Sequence, residues 1–496
     1  MLTRAERTHY AETSLHADVM QFYAAFSDPR LYLGSFGTSP GGRELPLVVL
    51  SANGVRTPDE ARARQLPVCL VICGIHAGEV EGKEAMMMMA REILGGALAH
   101  LVEHLTLVIV ALFNPDGNDA LDPANRALNL PKLEGQIGPA KVGTRVNKSG
   151  INLNRDYMRQ QAEEMRLLQT RVCQAWQPDL TIDTHATNGS VHRFEMTYDV
   201  PHTEAAGRPE PIAFMRDKVT PHVRAAMQQN HGLLAGWYGN FVEDERSLDA
   251  RQDADPHAAV TEGWMTYPHQ PRFGSNYRGL TNRLDLLLEC YSYLTFEERV
   301  RTTYAMVLET LAYVAAHPAD VLQVVAASQR PRDQIAVRCK LEAFPGTIDI
   351  ATRTPRTLDG APSSVQVRHL ARFVGTTVVA RPLAYAVPPD VAAKLAGHGL
   401  AISDAAHADA VVATVEGYAT EGGRKILEAA EVGDATVSWK RGGRALGDYR
   451  LVRTDQPLGA IAVYLCEPES DDGAIENGLV APPAVGAEFP IWRVWA

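Results

Sequence analysis

At 496 residues the chain exceeds the length at which a single hydrophobic core keeps growing, so two domains are the first expectation. Its composition is that of an ordinary globular protein, 46% hydrophobic and 22% charged, and no run nears the roughly 18 apolar residues of a membrane span. The formal net charge of -11, with no Lys/Arg cluster to override it, argues against nucleic acid as the main partner.

The opening, Met1-Leu2-Thr3-Arg4-Ala5-Glu6-Arg7, lacks the charged, apolar, then small pattern of a secretory signal. A cytoplasmic location is therefore favoured unless a leader has been removed. Most of the six cysteines lie in apolar surroundings that suit buried free thiols. Cys69 and Cys73 are four apart, but no second pair completes a zinc knuckle.

In chain order, a helical opening is predicted over roughly 5–26, then a strand at Leu45–Leu50. Pro67–Cys73 is a nearly continuous apolar run, suited to a strand buried on both faces, and Gly74 breaks it before a helix at about 80–93. Met86–Met89 within that helix reads as core filling. Leu105–Phe113 is the next buried strand, closed by the turn signal Asn114-Pro115-Asp116-Gly117. A helix follows at 160–175, strands at 179–183 and 284–289, and a helix at 296–315. This alternation indicates an α/β fold: a mixed, mostly parallel sheet flanked by helices.

A polar, basic stretch containing Pro331 separates residues 1–330 from 334–496. Beyond it, short alternating segments such as Val365–Arg368 and Ala435–Trp439 suggest a smaller strand-rich domain. The pairs Gly422-Gly423 and Gly442-Gly443 mark turns there, and a helix is expected near Pro389–Gly397.

Three elements point to chemistry. Gly74-Ile75-His76-Ala77-Gly78-Glu79 lies where a buried strand gives way to a helix, so both side chains can face one ion. Alone this is weak: with 16 histidines and 59 acidic residues, chance supplies about two His-x-x-acid matches. Asp179–His185 places a second histidine at the end of another strand, and ligands gather at the carboxyl ends of strands in open parallel sheets. Two histidines and one carboxylate leave a zinc position free, as in catalytic sites. Third, Leu286-Leu287-Leu288-Glu289 ends an apolar strand on a carboxylate, which beside a metal can take and return a proton.

The ordered set His76-Ala77-Gly78-Glu79, Asn114-Pro115-Asp116-Gly117, Asn152-Leu153-Asn154-Arg155-Asp156-Tyr157, Asp183-Thr184-His185 and Glu289 resembles the funnelin-type zinc carboxypeptidases over about residues 8–315. The resemblance implies one zinc per chain held by His76, Glu79 and His185, with Glu289 activating water. It also implies that Arg155 with Asn154 grips the terminal carboxylate of a peptide, and that Arg126 stabilises the oxyanion unless it is a plain surface arginine. Tyr277 is taken as the family's mobile substrate-binding tyrosine, with Tyr267 as its rival. The selectivity pocket is expected between about Pro271 and Leu288.

One departure stands out. Many relatives have an aspartate at the position of Asn152 to orient a ligand histidine; Asp183, two residues before His185, is the candidate to compensate. The C-terminal region resembles long bacterial members in Arg381–Tyr385 and Glu467–Gly473. The latter reads as a solvated acidic loop, with a calcium site as the alternative. Two other functions remain open: a related zinc deacylase or amidase acting on N-acyl amino acids, and a catalytically silent binding homologue.

Overall fold

The computed structural model describes residues 1–249, 253–404, 407–419 and 434–495; Gly422-Gly423 lies outside them. The first ten strands are β1 (Leu31–Thr38), β2 (Glu44–Leu50), β3 (Val68–Cys73), β4 (Thr106–Val110), β5 (Leu180–Thr187), β6 (Met196–Asp199), β7 (Ala235–Trp237), β8 (Asn240–Phe241), β9 (Trp264–Met265) and β10 (Leu284–Tyr291). Eight of them make the main sheet in the order β1-β2-β4-β3-β5-β10-β6-β7. Its centre, β4-β3-β5-β10, is parallel, and antiparallel pairs flank it. The mixed, mostly parallel α/β sheet expected from the sequence is the one found.

Both faces of this sheet are buried, which is why its central strands read as unbroken apolar runs. Along β2, β3 and β4, alternate residues enter opposite cores. Val48, Leu50, Val71 and Ile109 pack with Met86, Met87 and Met89 of helix Glu81–Leu94. Leu47, Val49, Leu70 and Val108 pack on the other face with Tyr157, Met158 and Tyr277. The methionine run is thus core filling, as expected. A fully buried Leu, Ile, Val or Met contributes about 1.5–3 kcal/mol, so cores of this size form without help from a metal.

Several local expectations are corrected. The helical opening is two helices, Arg4–Arg7 and His16–Ala24. The chain leaves helical geometry between them because Thr13 Oγ1 and Ser14 N donate to the buried Glu84 carboxylate at 3.0 and 2.6 Å. The helical stretch expected from 160 begins at Glu163, because Gln161 N and Ala162 N donate to Asp156 instead. Asn114-Pro115-Asp116-Gly117 is a helix start rather than a turn: Asn114 Oδ1 accepts from Gly117 N, and Pro115 opens helix Pro115–Asp119. Gly442-Gly443 is no turn either, since both residues lie within strand Asp434–Ala445, paired with Ala410 and Asp409.

The C-terminal region is strand-rich, with the expected helix at Pro389–Gly397 and a second, fully buried one at Gly459–Cys466. Strand His369–Ala380 pairs with both Gln334–Ala343 and β9, so the region continues a sheet begun by β8 and β9. A separate six-stranded sheet contains Ala384–Val387, Arg450–Arg453 and Trp492–Val494. Tyr385, Val463 and Tyr464 join the same core as Leu70 and Tyr157. Among the described residues, no helix is long and apolar enough to cross a membrane.

Two glycines set the approach to the carboxyl ends of the central strands. Gly74 turns the chain out of β3 in the left-handed region, at φ 69°. Gly82 lets helix Glu81–Leu94 touch β5: a Cβ there would stand 2.1 Å from Thr184 Oγ1. Gly82→Ala is therefore expected to destabilise the fold by about 1–3 kcal/mol through overpacking. A thermal midpoint unchanged from wild type would show that the contact is not tight.

Candidate metal centre

His76 and Glu79 lie just beyond β3, His185 near the carboxyl end of β5, and Glu289 in the same stretch of β10, where it pairs in register with His185. Three neighbouring parallel strands therefore bring these four side chains to one edge. His76 Nδ1 lies 3.2 Å from Glu79 Oε1, and His185 Nδ1 lies 2.9 Å from Glu79 Oε2. One ligand atom from each residue falls within 4.8 Å of the others, and all three residues are buried. Bonds of 2.0–2.1 Å in tetrahedral geometry put ligand atoms about 3.3 Å apart, so this spacing suits zinc.

The outer nitrogens support the same reading. His76 Nε2 meets Asn152 Oδ1 at 3.1 Å, and His185 Nε2 lies 3.3 Å from Asp183 Oδ1. Asn152 Oδ1 behind His76 Nε2, and the Asp183 carboxylate near His185 Nε2, are placed to accept from an N–H there, which would leave each Nδ1 lone pair for a metal. Asn152 thus stands where an aspartate was expected and still accepts, while the carboxylate has passed to the other histidine. Asp183 is held in turn by Arg278, whose Nη2 donates to Asp183 Oδ2 at 2.8 Å while its Nε pairs with Asp285.

Burial, against the pull of Glu79, holds the pKa of His76 down to about 3. Burial also opposes the charge of His185, but Asp183 and Glu79 outweigh it and raise its pKa well above the usual imidazole range. Burial, opposed by His185 and reinforced by Glu79, pushes Glu289 up to about 7.

The arginines divide into two kinds. Arg126 stands behind the ligands, donating to Glu79 Oε1 at 2.9 Å, Ser292 Oγ at 2.9 Å and Ala186 O at 3.0 Å. Its backbone is in the left-handed region at φ 52°, strain held by those contacts. Arg145, which sequence reasoning missed, is the one at the open side: its side chain is 47% exposed against 18% for Arg126. Its Nη1 lies 3.1 Å from His76 Nδ1 and 3.4 Å from Glu79 Oε1. Arg155 lies across the Phe273 ring, its guanidinium carbon 3.8 Å from the centroid. Burial, with Arg145 nearby, lowers its pKa to about 9. Asn154 beside it accepts from Gly274 N at 2.8 Å and places Nδ2 3.5 Å from His185 Nε2.

Tyr277 is not brought to the centre. It is buried, and its hydroxyl bonds His398 Nδ1 at 2.8 Å on the side of the C-terminal region. Tyr267 stands one ring further off, packed on Tyr238 with centroids 5.8 Å apart. Tyr238 is partly exposed, and Glu289 and Arg155 are among the charges that act on its hydroxyl. No spacing signal marks it, because 51 residues separate it from Glu289.

Residues 19–196 match the family profile described as Peptidase_M14, zinc carboxypeptidase. No curated protein sequence matches the chain significantly. Among solved structures, a metallo-carboxypeptidase from Burkholderia cenocepacia is 16% identical over 61% of this chain and 68% of that one, with a TM-score of 0.41. A metallo-carboxypeptidase from Pseudomonas aeruginosa, in complex with (2-guanidinoethylmercapto)succinic acid, is 17% identical over 62% and 68%, with a TM-score of 0.39.

His76→Ala is expected to abolish zinc binding while the protein stays folded, since the cores do not depend on the site. Asp183→Asn should weaken zinc by about 10- to 100-fold, the usual effect of losing a partner behind a ligand histidine. Chelator competition on the purified variants checks both, and full zinc occupancy of His76→Ala would remove the assignment.

Proposed function

From the premise that residues 19–196 are a zinc carboxypeptidase segment of the M14 family, we propose that the chain removes the C-terminal residue of a peptide, with His76, Glu79 and His185 holding one zinc. The observation that carries this reading is a convergence at one sheet edge. A His-Glu-His ligand set, a carboxylate in register with its second histidine, and a half-buried arginine with no carboxylate on its guanidinium among the described residues all meet there.

Zinc in such a site supplies Lewis-acid polarisation of a carbonyl and makes water more acidic. The remaining work falls to the chain itself. Glu289 takes a proton from the attacking water and returns it to the leaving amine nitrogen; its raised pKa suits both halves of that transfer. Arg145, rather than Arg126, faces the charge that develops on the scissile carbonyl oxygen, because the guanidinium of Arg126 is occupied by Glu79, Ser292 and Ala186. Arg126 instead fixes the Glu79 carboxylate. Arg155 and Asn154 receive the terminal carboxylate of the substrate, a task suited to a planar guanidinium. Tyr238 takes the place expected for Tyr277 as the hydroxyl that closes over the substrate.

Glu289→Gln should keep zinc and fold yet lower kcat by at least about a hundredfold, the range for a lost general base. A loss of only a few fold would mean that another group activates the water. Arg155 is tested by comparing free-acid and amidated peptides. Charge-assisted hydrogen bonds contribute roughly 1.5–3 kcal/mol, so the acid should be favoured about tenfold or more in kcat/KM, and Arg155→Ala should erase the preference. Equal turnover of acid and amide by the wild-type enzyme would sink the carboxypeptidase reading. Turnover confined to N-acyl amino acids would favour the deacylase.

A further inference from the structure

The acidic run Glu467–Asp472 has no role in the chemistry above, and it is neither a solvated loop nor a calcium site. Glu467 pairs with Arg493 and accepts from the Tyr385 hydroxyl. Asp471 faces His269 Nε2 at 2.8 Å and accepts from the Tyr464 hydroxyl at 2.6 Å. Asp472, fully buried, accepts from the backbone N–H of Arg272 at 2.6 Å and pairs with its Nη2 at 2.8 Å. Asn477 Nδ2 donates to the same carboxylate at 3.1 Å and holds it in place. These three acids of the C-terminal region are thus taken up by cations and donors, and two of them grip residues 269–272.

The two residues after Arg272 give that grip its consequence. Phe273 is the ring on which Arg155 lies, and Gly274 N donates to Asn154 Oδ1. The same region also fastens the chain just beyond Arg155: Lys394 Nζ donates to Arg159 O at 2.8 Å and Gln160 O at 3.0 Å, and His398 Nε2 meets Met158 O at 3.2 Å. The segment that carries Asn154 and Arg155 and the segment they rest on, at Phe273 and Gly274, are therefore both anchored by residues beyond 390.

We propose that Asp472 is a positioning residue for substrate recognition: through Arg272 it fixes Phe273 and Gly274, and through them the orientation of Arg155 and Asn154. The C-terminal region is then part of the substrate site rather than an appendage to it. This inference rests on the assignment of Arg155 to the terminal carboxylate. A carboxylate held by both the backbone and the side chain of one arginine fixes that residue in position and in direction, which a single contact does not. Small displacements of a substrate-orienting group are costly, so the effect should be legible in kinetics.

The test uses the full-length zinc enzyme with an N-acylated dipeptide as free acid and as amide. Asp472→Asn is expected to raise KM for the acid by about tenfold while kcat changes by less than about twofold, and to affect the amide far less. In an Arg155→Ala background the same substitution should add nothing, because the two residues act in series. Arg272→Lys, which keeps the charge but loses the fork, should fall between. If circular dichroism shows Asp472→Asn to be unfolded, Arg272→Lys decides by the same readout. An acid preference unchanged in the variants, an equal loss on acid and amide, or full additivity with Arg155→Ala would overturn the proposal. Failure of the carboxypeptidase reading is seen separately, as a wild-type enzyme with no acid preference.

Discussion

The arrangement depends on one buried carboxylate. Glu79 has His76 Nδ1 and His185 Nδ1 beside its two oxygens, accepts from an N–H of Arg126 on one and from the backbone N–H of Ala186 at 3.3 Å on the other, and has Arg145 at longer range. A carboxylate buried without partners is among the costliest groups a fold can hold. Burial does push its pKa up, but His76, Arg126 and His185 more than reverse that, and Glu79 stays well below the usual carboxylate range. Its partners come from the β3 turn, the β5 end and two long loops. Each of those segments is held where it is partly by the need to satisfy this charge.

A site built this way is organised before any substrate arrives. The parallel centre of the sheet fixes His185 opposite Glu289, and the carboxyl end of β3 fixes His76 and Glu79 beside them. Around this frame the supporting charges are redistributed. An amide, Asn152, backs one ligand histidine, while Asp183 backs the other and is itself tied to the buried Arg278 and, through it, to Asp285. The acidic run of the C-terminal region repeats the device at a distance, with Glu467, Asp471 and Asp472 matched by Arg493, His269 and Arg272.

How much is legible in the sequence depends on how local each signal is. The central strands announce themselves as apolar runs because both faces are buried, and the segments bearing His76, Glu79, His185 and Glu289 sit where such runs end, so the fold class and the meeting of these residues at one sheet edge can be read without coordinates. Boundaries set by distant partners cannot. Nothing near residue 13 says that Thr13 and Ser14 will bond Glu84, and nothing near residue 442 says that Gly442-Gly443 will lie inside a strand. The same holds within the site. Arg126 and Arg145 are equally plausible as residue types; only three dimensions show that one is enclosed behind Glu79 and the other stands at the open side. Tyr277 is a further case: its glycine-flanked segment draws attention in the sequence, but its hydroxyl is turned to His398.

The central claim is that His76, Glu79 and His185 form one zinc site through the inner nitrogens of both histidines. A crystal of the zinc-loaded protein measured at the zinc absorption edge tests it most directly. The expected result is a single anomalous peak about 2.1 Å from His76 Nδ1 and His185 Nδ1 and within coordinating distance of Glu79. A peak bonded to either Nε2, or located away from these three residues, would contradict it.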